Sequence, residues 1–286
     1  MTKVILIANY NKAHVSEALA QFRPWLKERA EIVADVDVYD SDPLERADAD
    51  MALVFGGDGS MLGMARRVVD LGLPLVGINF GKLGFLAPFT LDEVVRNWDD
   101  FASGAFEIAE RVMLHVAVRE GDGCETAFES LAMNECAITA GPPFRMIELE
   151  LTINPQQQRH VGTHFSGDGV IIATPTGSTA YNLSAGGPII APDVDGLVLT
   201  PICPHTLSFR PIVVSSQSEL ELRLHHSNPG TTVVVDGQIS TPVNTGCVLT
   251  VRTHPRRLKL VTNPRLGYWK TLATKMHWAA QPRFDK

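Results

Sequence analysis

Apolar and polar positions follow two regimes along this chain. In the first hundred residues, short unbroken apolar runs (4–8, 32–38, 51–55 and 74–78) alternate with stretches of helical period. Residues 15–28 carry Ala18, Phe22 and Leu26 on one side, and residues 61–69 place Leu62, Ala65 and Val69 on one face. Runs of this kind read as buried strands, and the helical stretches as their cover. The order strand, helix, strand, strand, helix, strand predicts a parallel sheet with covering helices. Pro24 is expected to kink or split the first helix. Residues 91–101, apolar at Leu91, Val94, Val95 and Trp98, read as the last helix of this half.

Near Gly104 the period changes. Short β runs follow at 113–119, 127–139, 146–153, 169–173, 211–214, 220–224, 231–235, 248–252 and 258–261. Many short strands with turn residues between them predict a sandwich or barrel-like domain. Helical character returns at 266–278, with Leu272 and Met276. The expected organisation is therefore an α/β domain over 1–104, an all-β, sandwich-like domain over 105–262, and a tail over 263–286 that packs back on the first domain.

Composition narrows the partners. A chain of 286 residues with 45% hydrophobic content suits two domains with real cores. The net charge of −7 offers no basic field to nucleic acid or anionic lipid. Phosphate ligands must then be held locally. Cys124, Cys136, Cys203 and Cys247 form no C-x-x-C pair and read as reduced thiols of a cytoplasmic protein. A strand from the third residue leaves no expected signal segment, and no apolar run approaches the roughly 18 residues of a membrane span.

The chemistry concentrates in two places. Gly56-Gly57-Asp58-Gly59-Ser60 lies where a predicted strand turns into a helix, an anion-facing position because the first helical N–H groups lack helical partners. Asp58 would repel a phosphate there. It either meets a hydroxyl or a bound metal while the N–H groups meet phosphate, or it caps the helix. The loop 79–86, with Gly81 and Gly84, ends the next strand and is placed to close over the same site. In the second half, Ser166-Gly167-Asp168-Gly169 leads through an apolar run into Thr174-Pro175-Thr176-Gly177-Ser178-Thr179-Ala180-Tyr181-Asn182-Leu183-Ser184-Ala185-Gly186-Gly187-Pro188. Small and hydroxyl residues between apolar runs fit a tight loop beside a ligand. Both stretches thus carry a Gly-Asp-Gly element, and carboxylates suit a sugar because they accept from ribose hydroxyls. Asn134-Glu135 reads as part of a strand, and Asp236-Gly237 as a hairpin turn.

Two phosphate motifs are excluded. A P-loop needs G-x-x-x-x-G-K-[ST], whereas Gly77 and Gly81 have three residues between them and Leu83 follows Lys82. The Rossmann fingerprint G-x-G-x-x-G is replaced by Gly57-Asp58-Gly59-Ser60-Met61-Leu62-Gly63.

Taken in order, Gly56 to Ser60, residues 79–86, Asn134-Glu135, residues 167–188, Pro204-His205-Thr206-Leu207-Ser208-Phe209-Arg210-Pro211 and Asp236-Gly237-Gln238 resemble the NAD kinase family. The stretch through Thr174 to Tyr181 is specific; GGDG alone is shared with diacylglycerol kinases and 6-phosphofructokinases. The resemblance implies transfer of the ATP γ-phosphoryl group to the 2′-hydroxyl of the adenosine ribose of NAD, giving NADP. It implies Asp58 as proton acceptor, with Gly59 against NAD beside it. Asn134, Glu135, Asp168, Thr179, Ala180, Tyr181, Asn182, Leu183, Ser184 and Gln238, with Arg145 and Ser166, would contact NAD. Gly56, Gly57, Gly59 and Ser60 would serve ATP phosphates. It also implies a divalent ion such as Mg²⁺, whose ligands the sequence does not assign, and a homo-oligomer, dimer or tetramer. The family's usual residue at Ser60 is Thr, and the hydroxyl is kept.

Overall fold

A computed structural model describes residues 1–40, 44, 48–81, 84–157 and 163–278. Lys82 and Leu83, inside the 79–86 loop, lie outside the described residues. The chain forms two compact units, one of residues 1–110 with 259–286, the other of residues 111–258.

The first unit is α/β. In chain order it holds β1 (Thr2–Ala8), α1 (Ala13–Lys27), β2 (Ala30–Asp37), β3 (Met51–Phe55), α2 (Asp58–Val68), β4 (Leu75–Asn79), β5 (Phe89–Thr90), α3 (Leu91–Arg96), α4 (Trp98–Ser103) and β6 (Ile108–Arg111). Strands β2, β1, β3 and β4 pair in that order and in parallel. Val4 to Ala8 and every residue of β3 are buried, because helices cover a parallel sheet on both faces. Helix α1 buries Val15, Leu19, Phe22 and Leu26 along one stripe. It runs unbroken through Pro24. That residue and Ala20, whose carbonyl the proline leaves unbonded, both lie on the solvent side, where water can take the carbonyl. The predicted single helix over 91–101 is two. Asn97 breaks the run with φ −109° and ψ 22°, and its side-chain amide bonds the Glu93 carbonyl at 2.6 Å.

The second unit is a sandwich of two antiparallel sheets. Its strands are β7 (Leu114–Arg119), β8 (Thr126–Ala132), β9 (Glu135–Thr139), β10 (Ile147–Ile153), β11 (Thr163–Gly167), β12 (Gly169–Ala173), β13 (Gly196–Ile202), β14 (Ile212–Ser215), β15 (Leu220–His226), β16 (Thr232–Val235), β17 (Ile239–Pro242) and β18 (Val248–Thr253), with the short helix α5 (Tyr181–Ser184) between β12 and β13. One sheet runs β11-β10-β15-β18-β7-β8, the other β14-β13-β12-β9-β16-β17. Alternating residues such as Leu149, Leu151, Leu220, Leu222 and Leu224 of one sheet meet Ile138, Val170, Ile172, Val233 and Val235 of the other in a single core.

Two readings of the β region are corrected. The run 127–139 is not one strand. It leaves one sheet after Ala132 and enters the other at Glu135. The strand at 258–261, β19 (Leu258–Val261), does not join the sandwich; Leu260 pairs in parallel with Leu75 of the first sheet. The tail follows, and its helix α6 (Tyr268–Met276) buries Thr271 and Leu272 in the first unit. Among the described residues, no helix is long and apolar enough to cross a membrane.

Leu222 is fully buried in the middle of the sandwich core, whereas Leu207 is 82% exposed. Leu222→Ala should cost about 2–5 kcal/mol, and Leu207→Ala less than about 0.5, in the urea unfolding midpoint at unchanged slope.

Candidate functional site

The first cluster forms at the carboxyl end of β3. Gly57 is the N-cap of α2 and Asp58 its first residue, yet no side chain caps this helix. The Asp58 carboxylate turns instead to the loop after β4 and accepts from the backbone N–H groups of Phe85 and Leu86, each at 3.0 Å. Two glycines allow this approach. A Cβ on Gly84 would stand 1.9 Å from Asp58 Oδ1, and one on Gly77 would stand 2.6 Å from the Leu86 carbonyl. Asn79 fixes the same loop by donating its amide to the carbonyls of Ala87 and Phe89 at 3.0 and 3.1 Å.

From α6, Lys275 places its Nζ 3.6 Å from Asp58 Oδ2 and 4.7 Å from the centre of the Phe85 ring. The carboxylate stays 34% exposed, so one side of it faces solvent. The four positions expected to serve phosphate are not equivalent. Gly56 is buried and donates its N–H to the Ile78 carbonyl, the Ser60 N–H goes to the Gly57 carbonyl, and the surfaces of Gly57 and Gly59 are exposed.

The second cluster lies where the chain crosses between the two sheets of the sandwich. Asp236 sits in the turn between β16 and β17 with φ 51°, and Gly237 follows with φ 63°, the geometry of a tight hairpin. Its buried carboxylate accepts from the N–H groups of Met133, Asn134 and Glu135 at 3.0, 2.7 and 3.2 Å. Glu135 is therefore held in place, only 6% exposed. Its carboxyl is pushed up to about 7, first by burial and then by the neighbouring Asp236, with the Tyr181 backbone N–H opposing. Glu135 Oε2 is buried without a hydrogen-bond partner.

Beside it the hydroxyl-rich segment folds on itself. Thr174 donates to the Met133 carbonyl and accepts from the Gly177 N–H. Ser178 joins Pro175 to Ile190, and Asn182 bonds the carbonyls of Ser178 and Pro188 while accepting from Thr200 at 2.6 Å. Asn182 is fully buried, with both ends of its amide hydrogen-bonded within the protein. Tyr181 and Ser184 are exposed, and Thr179, Ala180 and Leu183 are half-buried.

The remaining expected residues do not all gather here. Gln238 is exposed and begins two residues after Asp236. Asp168 and Ser166 lie at the other end of β12, which pairs Gly169 with Thr139 but Ala173 with Glu135. Four residues of strand, about 13 Å, separate those two ends. Arg145 is exposed, and its carbonyl accepts from the Asn228 amide. Reading the sequence missed Asp236 as a clamp, the Phe85 and Leu86 amides, and Lys275. The Asp-Gly turn was visible, but nothing in its spacing says which amides it meets.

These two units match known proteins in the same order. Residues 4–106 match the model of the ATP-NAD kinase N-terminal domain, and residues 133–263 that of the ATP-NAD kinase C-terminal domain. An α/β unit with a carboxylate held at a strand-to-helix turn, together with a β sandwich, thus defines a two-unit kinase. The chain is 35% identical to the NAD kinase of Rhodopirellula baltica, over 98% of this chain and 88% of that protein. It is 35% identical to the NAD kinase of Geobacter metallireducens, over 97% and 99%. The chain belongs to the NAD kinase family. Its fold also follows that of yeast NADH kinase complexed with NADH (TM-score 0.84, 22% identity, covering 100% of this chain and 90% of that one). An Archaeoglobus fulgidus NAD kinase in complex with ATP superposes at TM-score 0.68, with 24% identity over 92% of this chain and 95% of that one.

Asp236→Asn removes one acceptor and turns an amide donor toward a backbone N–H. It should destabilise the protein by about 1–3 kcal/mol in denaturant unfolding, with the native fold retained at low denaturant.

Proposed function

We propose that this NAD kinase transfers the γ-phosphoryl group of ATP to the 2′-hydroxyl of the adenosine ribose of NAD, with Asp58 as the proton acceptor. One observation carries the reading: Asp58 stands at the first turn of α2, its carboxylate oriented by two backbone amides of the loop after β4 with one side open. A phosphoryl transfer state is loose, so catalysis is mainly positioning and charge neutralisation. A carboxylate fixed in direction can then take the hydroxyl proton late, without unusual basicity. Lys275 brings positive charge to the same place in an otherwise acidic chain. The exposed Gly57 and Gly59 are assigned to ATP phosphates, with the Ser60 hydroxyl.

NAD is assigned to Asn134, Glu135 and the exposed edge of the 179–184 segment, with Gln238. The unpartnered Glu135 Oε2 supports this, since a ribose hydroxyl would supply the missing donor. Arg145, Ser166 and Asp168 stay with NAD on the family resemblance alone. Mg²⁺ is a hard ion that prefers oxygen ligands. The one described group of three converging ligand side chains is Glu150, His164 and His225, and its imidazoles do not suit Mg²⁺. Mg²⁺ therefore enters as the ion of MgATP, neutralising phosphate charge, and no protein ligand is assigned to it. The reading carries with it a cytoplasmic homo-oligomer that makes NADP.

Purified protein with NAD and MgATP should form NADP, read by an NADP-specific dehydrogenase. Asp58→Asn should fold and lose roughly 10²–10⁴-fold in turnover; unchanged turnover would remove Asp58 from its role. Gly84→Ala, which drives a methyl group into the Asp58 carboxylate, should lose roughly 10²-fold without losing the ATP site.

The Glu135 carboxyl gives a pH test. Burial, and then the nearby Asp236, push it up to about 7 in the folded chain, from the ordinary glutamate value of 4.5. The stability it contributes is present below the lower value and lost as pH rises through the upper one. NAD binding runs the other way if the ionised carboxylate accepts from ribose. Affinity for NAD should rise between about pH 6 and about pH 8, and Glu135→Gln should flatten that rise in calorimetric titrations.

A further inference from the structure

Three adjacent strands of the sandwich bring two imidazoles and a carboxylate to one point, none of them a residue assigned above to NAD or ATP. On β10, Ile147, Leu149 and Leu151 face the core and Glu148 and Glu150 face outward. Across to β11, the register sets Glu150 directly opposite His164. On the other side, β15 would put only Arg223 opposite Glu150, but the ladder slips. Leu149 pairs with Leu224 and Glu148 with His226, so His225 is the extra residue of a bulge. A bulge re-aims its side chain, and here it turns His225 onto the outer face beside Glu150.

The outcome is compact. His225 Nε2 lies 2.8 Å and His164 Nε2 3.7 Å from Glu150 Oε2, and the two imidazole rings are 5.2 Å apart. One donor atom from each of the three residues falls within 4.8 Å of the other two. Half-exposed ion pairs contribute little to stability, so charge pairing alone gives scant reason for two imidazoles to converge on one carboxylate. The three side chains stand on paired strands rather than on a loop, so little must be ordered to close them on an ion. A cavity of about 250 Å³ adjoins them, lined by Glu148, His164, Phe165, Ser166, His205 and Thr206, and it offers another carboxylate and another imidazole close by.

We propose that Glu150, His164 and His225 form a binding site for a divalent transition metal, Zn²⁺ in the first place. Two nitrogens and one carboxylate oxygen are a borderline donor set that favours Zn²⁺, Co²⁺, Ni²⁺ or Cu²⁺ over Mg²⁺. The remaining coordination position falls to water or to a side chain of the adjoining cavity. Bound there, the ion ties β11, β10 and β15 together at the edge of their sheet. It is separate in chemistry from the hard ion that accompanies ATP.

The test uses the full chain, stripped with chelator and titrated with Co²⁺. A visible d–d band should rise and saturate at one Co²⁺ per chain, yield to Zn²⁺, and persist in excess Mg²⁺. Zn²⁺ should also raise the thermal unfolding midpoint. The double variant His164→Ala with His225→Ala, and separately Glu150→Gln, should lose the band while keeping the far-UV circular dichroism of the parent. No saturable band in the parent overturns the site, as does a band of equal strength and affinity in the double variant.

Discussion

A chain that passes from one sheet to another must leave some amides outside both ladders, and here that constraint shapes the sandwich. Between Ala132 and Glu135 the backbone leaves the edge of one sheet and enters the middle of the other. Buried amides without partners cost about 1–3 kcal/mol each. Three consecutive ones would make the crossing untenable. The Asp236 carboxylate takes all three, and it can do so because the Asp-Gly hairpin presents it from the neighbouring β16–β17 turn. The same contact fixes Asn134 and Glu135. Burial, and after it the Asp236 carboxylate set alongside, push the Glu135 carboxyl up to about 7.

The first unit uses the same device with a different result. Asp58 is also held by backbone amides from a segment remote in sequence, 27 and 28 residues on. Asp236 is 6% exposed and accepts from three backbone amides, whereas the Asp58 side chain remains 34% exposed and accepts from two. A carboxylate has about four lone-pair sites. Asp236 is thus committed to the fold, while Asp58 is oriented by the fold and retains acceptor capacity toward solvent. Equal chemistry in the sequence, two Asp-Gly pairs, is consumed by the fold in one place and left open to solvent in the other because burial and donor count differ.

That contrast explains how much was legible. Central strands of the parallel sheet read directly, because a strand covered on both faces has only apolar residues, as in residues 4–8 and 51–55. The sandwich strands read as strands but not as members of a sheet. Leu258–Val261 carries the same apolar pattern whether it pairs with Leu75 or joins the antiparallel sheets, and only the fold decides. The break at Met133–Asn134 was invisible because apolar residues flank it on both sides. The specific motifs marked the right stretches, yet not the roles within them. The segment 174–188 reads by composition as a tight loop beside a ligand, and within it the polar atoms of Thr174, Ser178 and Asn182 bond to the segment and its neighbours. Lys275 carries no motif, and its place beside Asp58 follows from the return of α6 to the first unit.

The consumed hydroxyls are informative about the neighbours they support. Segment 174–190 leaves the end of a buried strand and packs over Ala137, Ile171, Ala173 and Val198 through Ile190. A loop so rich in small residues has little apolar area with which to hold a shape. The circuit Thr174–Gly177, Ser178–Ile190 and Asn182–Thr200 supplies the missing constraint from hydrogen bonds, each closed where water does not compete. What that network carries on its outer side is Thr179, Tyr181 and Ser184, set beside Glu135. Losing Thr200, which touches no ligand in this reading, would leave Asn182 Oδ1 buried without a donor and loosen the support beneath them. The polar interior of the segment is thus the reason its exposed edge can be a surface of fixed form.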